Sequence, residues 1–335
     1  MAKKVLIVTN SGDLHADLVE SLLIEKDCRP FRLNLDAFPR DYQLLQEWRN
    51  GSLRSKLRRL PDGAWLDCAE IGAIWSRKPA EFSYLSADLS VQELAYARQE
   101  TEHALFGLFY TLDCYWMSHP LQLRGAGWKG EQLQRAARMG FRVPASLVTN
   151  DPQQVRRFRA SLPGKMIFKS MSTPTLAAEE VGEEDRIVAR LATTIVDDDM
   201  MESLDAVAQL PCHFQEYIPK AYELRVTVIG QRLFAARIYS QDDHRTAVDS
   251  RNMSAEIRYE ATQLEPQLEQ RCRDFVRSYG LEFGAIDLIV TPQGETVFLE
   301  NNPGGQFLYV EQLVPELRML DAVADKLIEE AQCRN

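Results

Sequence analysis

Two acids and an amide stand close together near the end of the chain, in FGAIDLIVTPQGETVFLENNPGGQF, residues 283–307. They are Asp287, Glu300 and Asn302. The stretch AIDLIV is a short apolar run with β-branched residues and predicts a strand. TPQGE supplies Pro and Gly for a turn, and TVFLE returns as the partner strand. With Gln293-Gly294 as a two-residue loop the pairing is fixed. Asp287 then faces Glu300 across the ladder, and Asn302 shares that face because side chains repeat every two residues. Two carboxylates opposite one another repel. A hard divalent cation with oxygen ligands, Mg²⁺, answers that repulsion, and neutralising either acid is then expected to leave the ligand-free protein as stable or more so. The bland reading is a solvated hairpin end, but AI before Asp287 and LIV after it argue for burial. A second pair mirrors the first. Arg225 and Arg237 flank Gly230 on two strands of a predicted hairpin, and two neighbouring cations call for an anion.

The elements that must hold these residues can be read coarsely. KKVLIVTN predicts a buried parallel strand, HADLVESLLIEKDC a helix and PFRLNLD a second strand, which together make a β-α-β opening. EIGAIWSRKP (70–79) predicts another strand, and residues 90–112 a long amphipathic helix. No GxGxxG accompanies the opening, so dinucleotide binding is not supported. A second unit starts near residue 117. Its strand KMIFKSMS carries Lys169, and CHFQEYIPKAYELRVTVIGQRLFAARIYS (212–240) holds a strand, a loop and the hairpin turning at Gly230. Residues 264–280 predict a helix closed by Gly280. The polar, acidic segment 173–207 reads as a lid or binding element. Within it RIVARLATTIV (186–196) has roughly helical apolar spacing. The basic run RNGSLRSKLRR (49–59) reads as a solvated helix face, with a dock for an acidic partner as its alternative.

Bulk properties exclude some classes. The 335 residues suffice for two or three subdomains. A net charge of −10 and a pI near 5.2 argue against general binding to nucleic acid or anionic membranes. Six scattered cysteines without CxxC spacing, no signal-like start and no membrane-length apolar run fit a reduced, cytoplasmic protein. No Ser-His or Cys-His arrangement points to an enzyme nucleophile. Of five histidines only His213, in CHFQEYI, stands near the other candidates.

The ordered set Lys129, Lys169, QEYI, ELRV, Asp287 and Glu300-x-Asn302 resembles the ATP-grasp ligases over roughly residues 117–330. IWSRKP, WMSHP, KGEQLQRAARMGFRVPASLVTND, FKS, VDSRN and FLENNPGGQFLYVE narrow the resemblance to peptide maturases of the microviridin, or graspetide, type. The resemblance implies an α/β (α+β) ATP-grasp fold. Its parts would be an N-terminal pre-ATP-grasp domain (1–120), a central subdomain with lid and leader-binding segment (121–211), and a C-terminal subdomain (212–335) with the Mg/ATP site. Lys129 and Lys169 would contact ATP phosphates. Gln215, Glu216, Tyr217 and Ile218 would form the adenine hinge, and Glu223 would reach the ribose. Arg225 and Arg237 would be catalytic, facing the transferring phosphoryl group or the substrate carboxylate. Asp287, Glu300 and Asn302 would hold two Mg²⁺ ions. The implied activity is ATP-dependent macrocyclisation of a ribosomal precursor peptide, leader plus core. Asp or Glu side chains would join Ser or Thr as esters or Lys as amides, in an enzyme expected to be a homodimer. Arg77 and Arg251 lie in family-like motifs and are as readily structural. SMSTPT after Lys169 departs from a glycine-containing phosphate cover, and DSR (249–251) lacks the aromatic often found between its ends. The rival readings are a ligase of small amino acids or peptides, glutathione-synthetase-like, and a non-catalytic ATP- or peptide-binding module.

Overall fold

The computed structural model describes residues 3–78, 80–172, 193–250 and 255–333. The chain opens with β1 (Lys4–Thr9), α1 (Leu14–Glu25) and β2 (Phe31–Asn34). There follow β3 (Tyr42–Arg49), β4 (Ser52–Arg59), β5 (Trp65–Asp67), β6 (Ile71–Ser76), α2 (Val91–Phe109) and β7 (Tyr115–Met117). The parallel sheet β2-β1-β6-β7 is apolar on both faces because both are covered. Leu6, Val8 and Ile74 pack on Leu105, Leu108 and Phe109 of α2, whose start is fixed by a Ser90–Glu93 capping box. Val5, Ile7 and Ala73 face the other way.

The basic run is a strand, not a helix. Asn50 and Gly51, at φ 50° and 77°, make a tight turn between β3 and β4. Leu44, Leu57 and Leu66 share one face of the resulting sheet β3-β4-β5, and Leu45, Lys56 and Asp67 share the other. The alternation of apolar and basic residues is that of a half-buried strand.

The middle of the chain forms α3 (Pro120–Ala126), α4 (Lys129–Arg138), β8 (Ser146–Thr149), α5 (Pro152–Ser161) and β9 (Met166–Lys169). Then come β10 (Thr194–Ile195), α6 (Asp198–Glu202) and β11 (Cys212–Glu216). The sheet order is β10-β9-β11-β8, antiparallel throughout. Most of the supposed lid, 173–192, lies outside the described residues, as does Arg251. Where RIVARLATTIV is described, Thr194 and Ile195 pair with Phe168 and Ile167 as strand rather than continuing a helix.

The last unit is β12 (Tyr222–Ile229), β13 (Arg232–Ile238), β14 (Tyr259–Ala261), α7 (Pro266–Arg277), β15 (Phe283–Val290), β16 (Thr296–Asn302), α8 (Leu308–Leu313) and α9 (Met319–Cys333). The sheet order is β14-β13-β12-β15-β16. Leu224, Val226, Ile286 and Leu288 press one face onto Phe275 and Val276 of α7. The last helix returns to the start of the chain. Val323, Leu327 and Ala331 of α9 bury against Val5, Ile7 and Val19. Each fully buried Leu or Val contributes about 1.5–3 kcal/mol, so this return ties the two ends firmly.

Asp287 does stand opposite Glu300, but by a different route from the one expected. The β15–β16 loop has three residues, Pro292, Gln293 and Gly294. Thr291 N–H donates to Glu295 O at 2.9 Å, and Gly294, at φ 83°, closes the loop. The ladder then runs Val290–Thr296, Ile289–Val297 and Leu288–Phe298. Continued regularly, it would set Glu300 opposite Ile286, on the wrong face. A bulge at Leu299 adds one residue and restores the Asp287–Glu300 pair.

Candidate active site

Three side chains of β15 and β16 and one of β12 meet on the sheet face opposite α7. Asp287 pairs laterally with Glu300 on one side and with Arg225 on the other. Arg225 Nη1 donates to both Asp287 oxygens, at 2.8 and 2.9 Å, and its Nη2 donates to the Gln306 carbonyl at 2.9 Å. Asn302 Nδ2 donates to Asp287 Oδ2 at 3.1 Å. Glu300 is met from the middle unit: Lys129 Nζ lies 3.2 Å from its Oε2 and donates to the Ser170 carbonyl at 2.9 Å. The two acids therefore each hold a protein cation. The repulsion inferred from sequence is answered within the chain, and for Asp287 the ion pair with Arg225 works against the expectation that neutralising an acid leaves stability intact. Its partner Arg225 is buried, 7 % exposed, and would be left without its counter-charge. Burial pushes the Asp287 carboxyl up, the Arg225 guanidinium pulls it back, and Glu300 adds to the push.

Position is built in by neighbours that sequence inspection passed over. Gln132 of α4 donates to the Asn301 carbonyl and accepts from its N–H, both at 2.8 Å. That fixes α4, and with it Lys129, against β16. Gly305 allows the closest approach in the cluster, because a Cβ there would meet Ala285 Cβ and Arg225 Nη2 at 2.9 Å. Beside the acids runs an apolar strip of Ile218, Ile289, Val297 and Leu299. Leu299 reaches it by ordinary alternation from Val297, and the bulge brings Glu300 to the same face.

The antiparallel sheet of the middle unit supplies the opposite wall. Lys169 lies across from His213 on adjacent strands. His213 is 3 % exposed, and neither ring nitrogen has a hydrogen-bond partner among the described residues. Burial, then the charges of Lys169 and Lys129, push its imidazole down to about 4, so it is neutral near pH 7.

The remaining expected site residues are placed less simply. Gln215 donates to Ser146 Oγ at 2.9 Å. The Glu216 N–H goes to Ala145 O at 2.8 Å, its carboxylate accepts from Ala145 N at 3.3 Å, and the Tyr217 N–H goes to Lys165 O at 2.9 Å. Ile218 alone of the four enters the apolar strip. Glu223 accepts from Lys220 at 2.5 Å and from Ser250 at 2.9 Å.

Arg237 does not join Arg225. The register pairs Arg225 with Ala236 and Arg237 with Leu224, which sets the two arginines on opposite faces. Arg237 instead lies over the Tyr222 ring, 4.3 Å from its centroid, and donates to Tyr239 Oη at 3.3 Å. Setting the two arginines opposite one another would need a register one residue away from this one, and one residue reverses a face. Arg77 holds the carbonyls of Gly304 and Gly305, at 2.8 and 3.3 Å.

The arrangement offers two carboxylates and a side-chain amide for a hard cation. Around them stand Lys129 and Lys169 and the apolar strip. The donor set fits Mg²⁺, which takes carboxylate and carbonyl oxygens. Among the described residues no group of three His, Cys, Asp or Glu could hold a metal ion, so the amide is needed to complete the set. No described helix is long and apolar enough to cross a membrane.

Residues 4–124 match the family model of the MvdD pre-ATP grasp domain. Similar solved structures cover nearly the whole chain. One is the macrocyclase MdnB from Microcystis aeruginosa MRC, at 30% identity and a TM-score of 0.79 over 97% of this chain and 99% of that one. A second is the macrocyclase MdnC from the same organism, bound with precursor peptide MdnA, at 26% identity and a TM-score of 0.84 over 97% and 99%. A third is a RiPP-associated ATP-grasp ligase of Chryseobacterium gregarium in complex with ADP and a leader and core peptide, at 28% identity and a TM-score of 0.88 over 98% and 97%. No curated protein matches the sequence.

Proposed function

From a chain that belongs to the ATP-grasp peptide maturases of the microviridin, or graspetide, type, we propose an ATP-dependent ligase that macrocyclises a ribosomally made precursor peptide. The observation that carries the reading is the Asp287–Glu300 pair with Asn302, set on one sheet face against Lys129 and Lys169. Asp287, Glu300 and Asn302 would hold Mg²⁺, two ions by the family's pattern, and bound Mg²⁺ would neutralise charge on the ATP phosphates. Lys129 and Lys169 would meet those phosphates. Ile218, Ile289, Val297 and Leu299 would pack the adenine, with the backbone of 215–218 along its edge and Glu223 turning from Lys220 toward the ribose.

The chemistry is carboxylate activation. The γ-phosphoryl group passes from ATP to a side-chain carboxylate of an Asp or Glu in the peptide, giving ADP and an acyl phosphate. A Ser or Thr hydroxyl, or a Lys amine, attacks the acyl carbon, loses its proton and expels inorganic phosphate. Arg225, whose guanidinium lies beside Asp287, would stabilise the anionic phosphoryl group or the acyl phosphate. Arg237 acts as a packing residue for Tyr222 and Tyr239. A leader segment would dock apart from the acids, with 173–207 the candidate surface, and the enzyme would work as a homodimer in the cytoplasm.

The test is incubation with ATP, Mg²⁺ and a peptide encoded beside this gene that carries acids with Ser, Thr or Lys. The expected result is ADP release and loss of one water mass per ring. Mild base then opens esters and leaves amides intact. ATP-dependent joining of free amino acids, with no change in any peptide, would replace this reading by the small-molecule ligase.

A further inference from the structure

We propose that His15 and Arg77, in the N-terminal unit, are positioning residues for the carboxylate cluster. They hold the backbone of 303–308 and thereby set where Arg225 meets Asp287. The inference rests on the ligase reading of that cluster.

The segment leaves β16 just after Asn302 and enters α8. It is gripped from two sides. On one side Arg77 Nη1 donates to the Gly304 and Gly305 carbonyls, at 2.8 and 3.3 Å, while His15 Nε2 accepts from the N–H groups of Phe307 and Leu308, at 3.2 and 3.1 Å. On the other side Arg225 Nη2 donates to the Gln306 carbonyl at 2.9 Å, while its Nη1 holds Asp287. Gln306 thus sits between the residues taken by Arg77 and those taken by His15. Movement of this backbone moves the guanidinium, and with it the share of Asp287 left open for a cation.

The grip is itself fixed. To accept two amides, His15 Nε2 must carry no proton, so the ring proton sits on Nδ1, 3.5 Å from Asp13 Oδ1. Asp13 is oriented in turn by Thr9, whose hydroxyl donates to Oδ2 at 2.7 Å. The His15 ring stands edge-on to Phe307 with centroids 4.8 Å apart. Burial holds the imidazole below its ordinary pKa, which keeps Nε2 an acceptor. Arg77 is 7 % exposed and stands 5.9 Å from the centroids of both Trp75 and Phe307. Its Nε and Nη2 have no hydrogen-bond partner among the described residues, although Asp13 lies 3.6 Å away. Burying a guanidinium so incompletely satisfied is unfavourable, and a Met or Leu would fill the space without that penalty. What only the guanidinium supplies is the hold on two glycine carbonyls.

The experiment measures the Mg²⁺ concentration for half-maximal ATP turnover, together with hydrogen exchange of the 303–308 amides in the ligand-free protein. For His15→Leu, exchange at Phe307 and Leu308 should quicken and the Mg²⁺ midpoint should rise about tenfold or more, as for lost partners of metal ligands. His15→Gln, whose Oε1 falls close to the place of Nε2, should restore most of both. Arg77→Met fills the same space but gives up the Gly304 and Gly305 carbonyls, should raise the midpoint likewise, and decides the question alone should His15→Leu not fold. Faster exchange with an unchanged midpoint and kcat, in either variant, overturns the inference. Wild-type turnover indifferent to Mg²⁺ would instead overturn the ligase reading beneath it.

Discussion

Asp287→Asn offers a sharp test, because two arguments about it point in opposite directions. If repulsion between Asp287 and Glu300 dominates, the substitution stabilises the ligand-free protein. If the Arg225 pair dominates, it destabilises. Removing one partner of a buried ion pair costs about 3–5 kcal/mol. Asp287 is 27 % exposed and Asn keeps one acceptor oxygen for Nη1, which lowers the expected loss to about 2–3 kcal/mol. Glu300→Gln should lose less, about 1 kcal/mol. Its contact to Lys129 is one 3.2 Å approach, and Lys129 keeps the Ser170 carbonyl. Both variants should lose Mg²⁺-dependent turnover, so activity does not separate the arguments and stability does. Urea unfolding of the ligand-free protein supplies the number. It should be repeated in an Arg225→Met background, where Asp287→Asn should become nearly neutral, a coupling of about 2 kcal/mol. An Asp287→Asn midpoint at or above wild type, or strictly additive losses with Arg225→Met, would refute the reasoning.

Other outcomes follow from the same geometry. Arg225→Lys should lower kcat by about 10²-fold or more, since an ammonium cannot span Asp287 and the Gln306 carbonyl together; steady-state kinetics at saturating Mg²⁺-ATP checks this. Arg237→Ala should lower the melting temperature and leave kcat within about threefold, because the guanidinium packs on Tyr222 away from the acids; a kcat loss as large as that of Arg225→Lys would return Arg237 to the chemistry. The protein should lose stability as pH falls below about 6.5. There the unfolded chain protonates His213 while the folded one resists until about 4, so the unfolded state binds the extra proton. His213→Gln should flatten that part of the urea-midpoint profile, and an identical slope in the variant would show that other groups set it.

Much of the architecture was open to inspection because it rests on local pattern. The runs VLIV and AIW are apolar throughout since both faces of their sheet are covered, and that is how a buried parallel strand looks in sequence. The β4 strand was hidden by its charge. SLRSKLRR sets six cations or hydroxyls beside two leucines, yet Leu53, Ser55 and Leu57 alternate, and the Asn50-Gly51 ahead of them is a hairpin signal. The two hairpin estimates show how fragile counting is. The placement of Glu300 survived an error in the loop because Leu299 supplied a second residue. That of Arg237 had no such bulge and landed on the wrong face. His15 and Gln132 left no trace at all. Their partners lie 292 and 169 residues away, and no spacing rule connects a buried imidazole to an amide at that distance.

The bulge also changes how this hairpin tolerates insertion and deletion. In a regular strand, losing one residue inverts everything beyond it. Here Leu299 and Glu300 both oppose Asp287, so excising Leu299 would straighten the ladder and leave Glu300, Asn301 and Asn302 with the neighbours they already have. The facing acids would persist, and only the apolar floor beside them would be thinned. Position 299 is therefore a place where a chain of this kind can gain or lose a residue with no shift in the phase of its acids. The number of residues separating two such acids is then a poor guide to whether they meet, and a one-residue gap in an alignment at this point carries little mechanistic weight.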